Sequence, residues 1–321
     1  MSQLRRLWVS PYVLKSAAGN LTEVEGLLLR CEFCESSLDM GYGCLQSWPE
    51  LGEPGLRELL PSLSAGFRSP EPLVQRALDM AKEDALGRTH QQSLLNLNHM
   101  IPLSHILNPV PGSDLDGLGY SHLKIKLRAE NQREVRDTLE LWLGSLSPHQ
   151  RLRLDFNGSF HSATQFINWW RDFQAILEPW IDFIEDPISD ATLESWMEME
   201  GWAPVAADRQ IDFEVLRQAK IRIWKPLVGD MDWARKSSGV QRVITTTNLD
   251  HPLGQVYAML QAQKFTSDEV CGLQTKDFYQ PDEFSESISY QGPQAHVEVE
   301  GGGLGFESQL KARNWKEVEV L

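Results

Sequence analysis

The stretch Leu152-Arg153-Leu154-Asp155-Phe156-Asn157 alternates apolar and polar residues and ends in a carboxylate and an amide. This alternation predicts a short strand that places Asp155 at its carboxyl end. An amphipathic pattern follows, in which apolar residues recur at helical spacing: Phe166, Trp169, Trp170, Phe173, Ile176 and Leu177. The stretch therefore predicts one strand–helix unit with a charged residue at the end of its strand.

The same unit recurs on both sides of this stretch, from about residue 99 onward. Strands that alternate with helices are typical of a parallel sheet. No Gly-rich phosphate loop follows the first strand, and seven units in series favour a closed barrel over an open doubly wound sheet. The predicted strands are Met100–Ile106, Leu123–Leu127, Leu152–Phe156, Trp180–Ile184, Pro204–Ala207, Ile221–Trp224 and Val243–Thr247.

Residues 1–98 have a different, mixed pattern that predicts a small α+β domain. Val24–Cys34 and Tyr42–Leu45 are its predicted strands, with Gly41 and Gly43 providing the freedom for a turn. The barrel domain is expected to span residues 99–289. The tail, about residues 290–321, is β-rich and Gly-rich and is expected to complete the first domain.

The composition of the 321-residue chain is that of an ordinary globular protein, with 41% hydrophobic and 23% charged residues. A net charge of −15 argues against nucleic acid and anionic membrane surfaces as partners. No apolar run approaches the ~18 residues of a membrane span. Leu7–Leu14 is too short and interrupted for a signal peptide, so a cytoplasmic location is expected.

The four cysteines do not suggest a disulfide scaffold. Cys31 and Cys34 form a lone CxxC without a second ligand pair at zinc spacing. They fall in a predicted strand, where positions i and i+3 point to opposite faces. Two ordinary thiols are therefore expected there, without a metal or redox role.

Charged residues stand at the ends of five successive predicted barrel strands. Because strand carboxyl ends face the active site in such barrels, these residues are candidates for function. Counted from Lys126, the charged residues of successive strands are between 17 and 30 residues apart, which is enough for one strand–helix crossover each. The set comprises Lys124 and Lys126 on one face of the second strand, Asp155 on the third, Glu185 on the fourth, Asp208 on the fifth and Lys225 on the sixth.

Three carboxylates in one confined mouth would repel one another unless they share a hard divalent cation. Mg²⁺ prefers oxygen ligands in an octahedron and keeps positions for water or substrate. Each residue alone also has an ordinary structural interpretation, since a lone Asp after a strand commonly caps a helix. The ordered set, with one carboxylate per strand, is much more specific than any of its members.

These residues resemble the enolase superfamily, and in particular its muconate-lactonizing branch. Members carry Lys-x-Lys on the second barrel strand, three metal-binding carboxylates on the next three strands and a lysine on the sixth. The chain matches this pattern between His122 and Gly229, with Lys124-Ile125-Lys126, Asp155 in Asp-Phe-Asn, Glu185 in Glu-Asp-Pro, Asp208, and Lys225 in Trp-Lys-Pro. Weaker matches are Gly41-Tyr42-Gly43 with Trp48-Pro49, and the Gly-rich run Gly301–Gly305.

The resemblance implies an α/β fold, with a (β/α)-barrel of the modified TIM type and an N-terminal α+β capping domain. It implies Mg²⁺, or Mn²⁺ in its place, bound by Asp155, Glu185 and Asp208. Lys126 would be the base, Lys225 would stabilise the enediolate, and Lys124 would assist. The implied substrate-binding residues are Asn157, Thr246, Thr247, Gln274, and Lys15 in a mobile loop over the barrel mouth.

Within this branch the chain most resembles the o-succinylbenzoate synthases. The implied reaction is syn dehydration of a succinyl-hydroxycyclohexadiene carboxylate in menaquinone biosynthesis, so a small carboxylate is the expected partner. Two departures from the family are Arg209 after Asp208, and Gln274 in place of an acidic residue. Three alternatives remain. The chain could racemise N-succinyl amino acids or act as another epimerase of the superfamily, with Lys126 and Lys225 as opposed bases. It could also be a retaining glycosidase that uses Asp155 and Glu185, or a binding barrel without catalytic activity.

Overall fold

The computed structural model describes residues 4–17, 23–35, 37–96, 103–107, 119–129, 132–208, 213–231, 239–298 and 300–320. Within these ranges it contains a four-stranded antiparallel sheet, a seven-stranded parallel sheet and a two-stranded hairpin. No helix in these ranges is long and apolar enough to cross a membrane.

The antiparallel sheet is built by the first part of the chain. Its strands β1 (Leu4–Leu14), β2 (Val24–Phe33) and β3 (Gly41–Gln46) are followed by helices α1 (Leu56–Ser64) and α2 (Pro72–Thr89). Both predicted strands are present. The apolar face of α2 packs on the sheet and buries Val74, Ala77, Leu78 and Ala81.

Gly41 and Gly43 have a different role from the turn predicted for them. They lie inside β3, where α2 approaches the strand closely. A Cβ atom on Gly41 would fall 1.8 Å from the carbonyl oxygen of Ala81, and one on Gly43 would fall 2.3 Å from that of Ala77. The glycines are therefore required by helix–sheet packing, a contact that no local pattern reveals.

The parallel sheet runs in chain order and forms the predicted barrel. Its strands are β4 (His105–Leu107), β5 (His122–Lys126), β6 (Arg151–Asp155), β7 (Ile181–Glu185), β8 (Val205–Ala207), β9 (Ile221–Trp224) and β10 (Arg242–Thr245). The amino-terminal part of the first predicted strand, Met100 to Pro102, lies outside the described residues.

Cys271 and Gly272 occupy the place of an eighth strand and close the barrel. Thr246 makes a parallel bridge to Gly272, and Cys271 makes a parallel bridge to Leu103, just before β4. The N–H of Ser104 donates to the carbonyl of Cys271 at 2.9 Å, and that of Gly272 donates to Thr245 at 2.9 Å. Two residues thus join β10 to the start of the barrel.

Helices cover the outside of this barrel. They are α3 (Gln132–Leu143), α4 (Ala163–Leu177), α5 (Leu193–Glu200), α6 (Phe213–Gln218) and α7 (Pro252–Phe265). The predicted stripe of α4 is buried except at Ile176, which is 39% exposed. Trp169 stacks on Phe173 with ring centroids 5.1 Å apart. Large aromatic rings packed this closely exclude water from the outer face of the strands. The predicted (β/α)-barrel with an α+β domain before it is confirmed.

The tail returns to the first sheet. A hairpin of β11 (Ile288–Gln291) and β12 (Gln294–Val297) precedes helix α8 (Glu307–Ala312) and strand β13 (Lys316–Val318). β13 pairs with β1, with Leu7 opposite Val318. The tail was expected to be β-rich, and besides its strands it contains the short helix α8. This helix buries Leu310, and its Glu307 and Lys311 form an ion pair one turn apart.

Cys31 lies in β2, whereas Cys34 follows the end of that strand. Cys31 is buried and burial raises the pKa of its thiol, whereas Cys34 is exposed. All four cysteines are free. One thiol of the CxxC pair is therefore buried and the other is open to solvent.

The floor of the barrel, at the amino-terminal ends of the strands, is held by a buried ion-pair network. Arg153 donates to the carboxylate of Asp182 and to the carbonyl of Val270, both at 2.7 Å. Arg242 donates to the other oxygen of Asp182 at 2.7 Å and to Glu269 at 2.9 Å. The network joins β6, β7 and β10 to the short eighth strand position.

Replacing Asp182 by Ala should destabilise the barrel by about 3–5 kcal/mol, because Arg153 would keep its charge in a buried site without its partner. Equilibrium unfolding in urea would measure this loss. Asp190→Ala removes an exposed carboxylate from the same part of the chain and is the matched control. An effect of Asp182→Ala no larger than that of the control would show that the network does not stabilise the fold.

Candidate active site

A cavity of about 330 Å³ opens at the carboxyl ends of the barrel strands. Nine of the eleven predicted site residues line it. These are Lys124, Lys126, Asp155, Asn157, Glu185, Asp208, Lys225, Thr246 and Thr247. Residues from at least six strand ends are therefore brought together, as the spacing of the charges predicted.

The strand register determines which of these groups are neighbours. Lys126 on β5 is opposite Asp155 on β6, and Asp155 is opposite Glu185 on β7. Neighbouring strands lie ~4.8 Å apart, so residues in register present their side chains side by side. The two carboxylates consequently face the same small volume.

Lysine ammonium groups lie against the carboxylates. Lys124 Nζ donates to both carboxylate oxygens of Glu185 at 2.8 Å and lies 2.9 Å from Asp155 Oδ2. Lys225 donates to Asp208 Oδ2 in the same way. Lys126 is exposed to the cavity. The two lysines of β5 thus have different environments, since Lys124 is paired with two carboxylates and Lys126 faces the opening of the cavity.

The electrostatics of the three buried groups follow from these contacts. Burial alone would raise the pKa of Asp155, but the positive charges of Lys124 and Lys126 hold it below its usual value. Burial raises the pKa of Glu185 and outweighs the opposing charge of Lys124, while Asp155 and Asp208 add to the rise. Burial would lower the pKa of Lys124, but Glu185 and Asp155 raise it strongly.

The donor set fits a hard divalent cation in its chemistry. All three candidate ligands are carboxylates, which suit Mg²⁺ and Mn²⁺. Asp208 Oδ1 is buried and has no hydrogen-bond partner within the described ranges. In those ranges no three acidic, His or Cys side chains already converge as a formed metal site. Lys124, which contacts Asp155 and Glu185 together, is the group that a cation would have to displace.

The N-terminal domain contributes one wall of the cavity. Trp48, Glu50 and Leu51 line it, just after β3. The indole N–H of Trp48 donates to the carbonyl of Asn248 at 3.0 Å, and Gln46 Nε2 donates to that of Leu249 at 3.0 Å. The barrel loop after β10 is therefore held in place by the capping domain.

Two predicted substrate-binding residues do not line the cavity. The side-chain oxygen of Gln274 accepts a hydrogen bond from the Tyr120 hydroxyl at 2.6 Å. The carbonyl of Lys15 accepts the N–H of Gln280 at 2.8 Å, close in sequence to Phe278, which does line the cavity. Lys15 thus starts a segment on the mouth side of the barrel. Residues 18–22 of the predicted loop, and Arg209, lie outside the described residues.

The sequence reasoning did not assign a role to several lining residues. They include Ser104, Asp186, Asn248, Leu249, Thr275 and Phe278. Asp186 follows Glu185 directly, so a second carboxylate at a strand end was a visible signal. Thr275 ends the run Gly272-Leu273-Gln274-Thr275, which resembles a motif of the family but gave this residue no role. Phe278 has no strand pattern before it, because the eighth strand position is only two residues long.

Two comparisons of sequence find similar proteins. A family model described as the N-terminal domain of O-succinylbenzoate synthase matches residues 7–87. The o-succinylbenzoate synthase of Bdellovibrio bacteriovorus is 29% identical over 343 aligned positions, which cover 97% of this chain and 98% of that protein. The similarity therefore extends over both domains.

Solved structures share the fold at low sequence identity. A mandelate racemase/muconate lactonizing enzyme from Roseiflexus superposes with a TM-score of 0.74 at 16% identity, covering 94% of this chain and 98% of that one. An enolase superfamily member from Roseovarius nubinhibens, solved in complex with magnesium, gives 0.72 at 16% identity with 99% of both chains covered. These structures share the barrel-and-capping-domain fold that was predicted from the strand-end residues.

His251, at the start of α7 and next to the cavity loop, should make the protein acid-sensitive. Its ring lies between Tyr12 and Phe284, and Nδ1 accepts the N–H of Leu253 at 3.2 Å. Burial lowers the pKa of His251 to about 3, so the unfolded chain binds this proton at a higher pH than the folded one. The free energy of unfolding should therefore fall as the pH drops below about 6.5, by up to ~1.4 kcal/mol per pH unit.

His251→Asn keeps a side-chain cap for the helix but removes the titrating group. Unfolding measured in urea between pH 6.5 and pH 4 should show a shallower pH dependence for this variant. His161→Asn removes an exposed histidine and should leave the slope as it is. Equal slopes in all three proteins would rule out His251 as the source.

Proposed function

We infer that this chain is a member of the enolase superfamily, and we propose that it acts as an o-succinylbenzoate synthase. The substrate would be a succinyl-hydroxycyclohexadiene carboxylate, which loses water to give the aromatic product. The observation that carries the proposal is the single cavity in which three lysines and three carboxylates from five barrel strands meet. A similarity that extends across both domains supports it.

Asp155, Glu185 and Asp208 would hold the divalent cation. A bound Mg²⁺ would supply positive charge next to the substrate carboxylate, where negative charge develops as the α-proton leaves. Two observations support this assignment: among the described residues the buried Oδ1 of Asp208 has no hydrogen-bond partner, and Asp155 and Glu185 lie in register.

Lys126 is the proposed base. It faces the opening of the cavity, whereas Lys124 is fixed between two carboxylates. Lys126 in its neutral form accepts the α-proton and then returns a proton to the departing hydroxyl, which leaves as water. One lysine can do both because proton and hydroxyl leave from the same face. Lys225, beside Asp208, keeps a positive charge near the enediolate.

Racemisation of an N-succinyl amino acid is the second candidate. It requires a base on each face of the substrate, and Lys126 and Lys225 line the same cavity from non-adjacent strands, β5 and β9. Activity of the purified protein with Mg²⁺ should be compared on the cyclohexadiene substrate and on a panel of N-succinyl amino acids. In D₂O, efficient deuterium exchange into both enantiomers with little dehydration would favour racemisation over our first choice.

Addition of Mg²⁺ should raise the melting temperature, because a ligand that binds only the folded state stabilises it by about 2.7 kcal/mol at a concentration of ~100 Kd. Asp155→Ala should lose both this shift and the dehydration activity while the barrel stays folded. Asp190→Ala, which removes an exposed carboxylate, should keep both. Full dehydration activity in excess chelator would contradict the metal assignment.

Lys126→Ala should reduce the dehydration rate by at least the ~10²–10⁴-fold that general-base catalysis contributes. Lys225→Arg should keep part of the rate, because arginine retains the charge and cannot exchange a proton. Lys316→Ala, at an exposed site in β13, is the control in the same steady-state assay. A Lys126→Ala protein that dehydrates as fast as the control would exclude Lys126 as the base.

A further inference from the structure

Asp186 is a buried carboxylate at the cavity that the proposed reaction does not use. It is 6% exposed and follows the candidate ligand Glu185. Its backbone φ is +40°, in the left-handed region that Asp and Asn tolerate better than other residues with a side chain. A buried acid in an unfavourable backbone conformation requires a structural or functional reason.

The hydrogen bonds of Asp186 show how its left-handed backbone changes the pairing of β7 with β8. In the β7–β8 ladder, the N–H of Ile184 donates to Pro204 at 2.8 Å and that of Asp186 donates to Ala206 at 3.1 Å. The next rung of a regular parallel ladder would join the N–H of Asp208 to the carbonyl of Asp186. That carbonyl instead accepts the N–H of Gly158 at 2.7 Å, on the other side of β7.

The side chain of Asp186 replaces the missing rung. Its Oδ1 accepts the N–H of Asp208 at 2.9 Å. β8 is only three residues long and ends at Ala207, so this bond holds the backbone of Asp208 where the ladder itself has stopped. Lys225 binds Oδ2 of Asp208. With the backbone and one oxygen fixed, the buried Oδ1 keeps its place at the cavity.

We propose that Asp186 is a positioning residue, whose side-chain oxygen extends the β7–β8 ladder by one hydrogen bond and thereby orients Asp208 as a ligand of the divalent cation. The proposal rests on the metal site of the proposed function. Partners that orient a metal ligand through hydrogen bonds typically contribute 10–100-fold to metal affinity. Asp186 would act on the metal only through Asp208. For this role Asp186 must have an acceptor oxygen, and its negative charge is not required.

Two variants separate the acceptor from the charge. Asp186→Asn keeps an acceptor oxygen and tolerates the left-handed backbone, but removes the charge. Asp186→Gly also tolerates that backbone and removes the acceptor as well. Asp190→Gly is the matched control at an exposed position nearby. The dissociation constant for Mn²⁺, measured from free Mn²⁺ by electron paramagnetic resonance, gives a readout that does not depend on activity.

We expect Asp186→Gly to weaken Mn²⁺ binding by about 10–100-fold and Asp186→Asn by less than about tenfold. Asp190→Gly should bind like the unsubstituted chain. Equal losses of Mn²⁺ affinity in the Asn and Gly variants would show that the charge of Asp186 is what matters. Unchanged affinity in the Gly variant would show that the hydrogen bond to Asp208 does not affect metal binding. Either result overturns the proposal.

Thermal unfolding without metal shows whether the variants fold. If Asp186→Gly does not fold, Asp186→Ala replaces it with the same expectation, and failure of both would make the role structural and overturn the proposal. If the unsubstituted chain does not bind Mn²⁺, the proposed metal site fails, and this inference fails with it. Normal Mn²⁺ binding without dehydration would contradict only the proposed reaction.

Discussion

The register of β5, β6 and β7 is the constraint on which the site depends. It places Lys126, Asp155 and Glu185 side by side on adjacent strands. A slip of one residue in any of these strands would turn its charged group out of the barrel and into the aromatic layer beneath α4. The apolar residues that alternate with the charges, such as Leu154 and Ile184, are fully buried, and their burial fixes this register.

The capping domain and the barrel form one functional unit because the cavity loop has partners in both. The carbonyl of Leu249 accepts hydrogen bonds from Gln46 and from Tyr279. Leu249 has a positive φ of 54°, a conformation that a leucine adopts only when its surroundings impose it. Gln46 is itself held by the Tyr12 hydroxyl, which lies on β1. The first strand of the chain thus helps to shape the wall of a barrel cavity.

The sequence was sufficient for the parts of the site that follow a strand's own periodicity. Asp155, Glu185 and Lys225 could be placed because each ends an alternating or apolar run, and successive runs are separated by a helix. Gln46 and Asp186 could not be assigned roles in this way. Gln46 acts on a loop about two hundred residues later, and Asp186 acts through a ladder that stops early. The ion pairs of Asp182 with Arg153 and Arg242 could not be predicted from the sequence either, because these residues meet only when the barrel has closed.

The two ends of the barrel differ in how their buried charges are balanced. At the floor, the guanidinium groups of Arg153 and Arg242 meet the carboxylates of Asp182 and Glu269, so two positive charges are balanced by two negative charges. At the mouth, five carboxyl groups and three lysines line one cavity: Glu50, Asp155, Glu185, Asp186 and Asp208 against Lys124, Lys126 and Lys225.

The carboxyl groups at the mouth outnumber the lysines. Burial and the neighbouring acids therefore raise the pKa of Glu185, even though Lys124 contacts both of its oxygens. A barrel whose only requirement was stability could pair its charges at both ends, as it does at the floor. A surplus of carboxylates kept in a partly enclosed cavity costs free energy unless a cation binds there. Burial and the neighbouring carboxylates Asp208 and Glu185 raise the pKa of Asp186 as well, so the acids of the mouth oppose one another's ionisation, and the divalent cation proposed above would offset this repulsion.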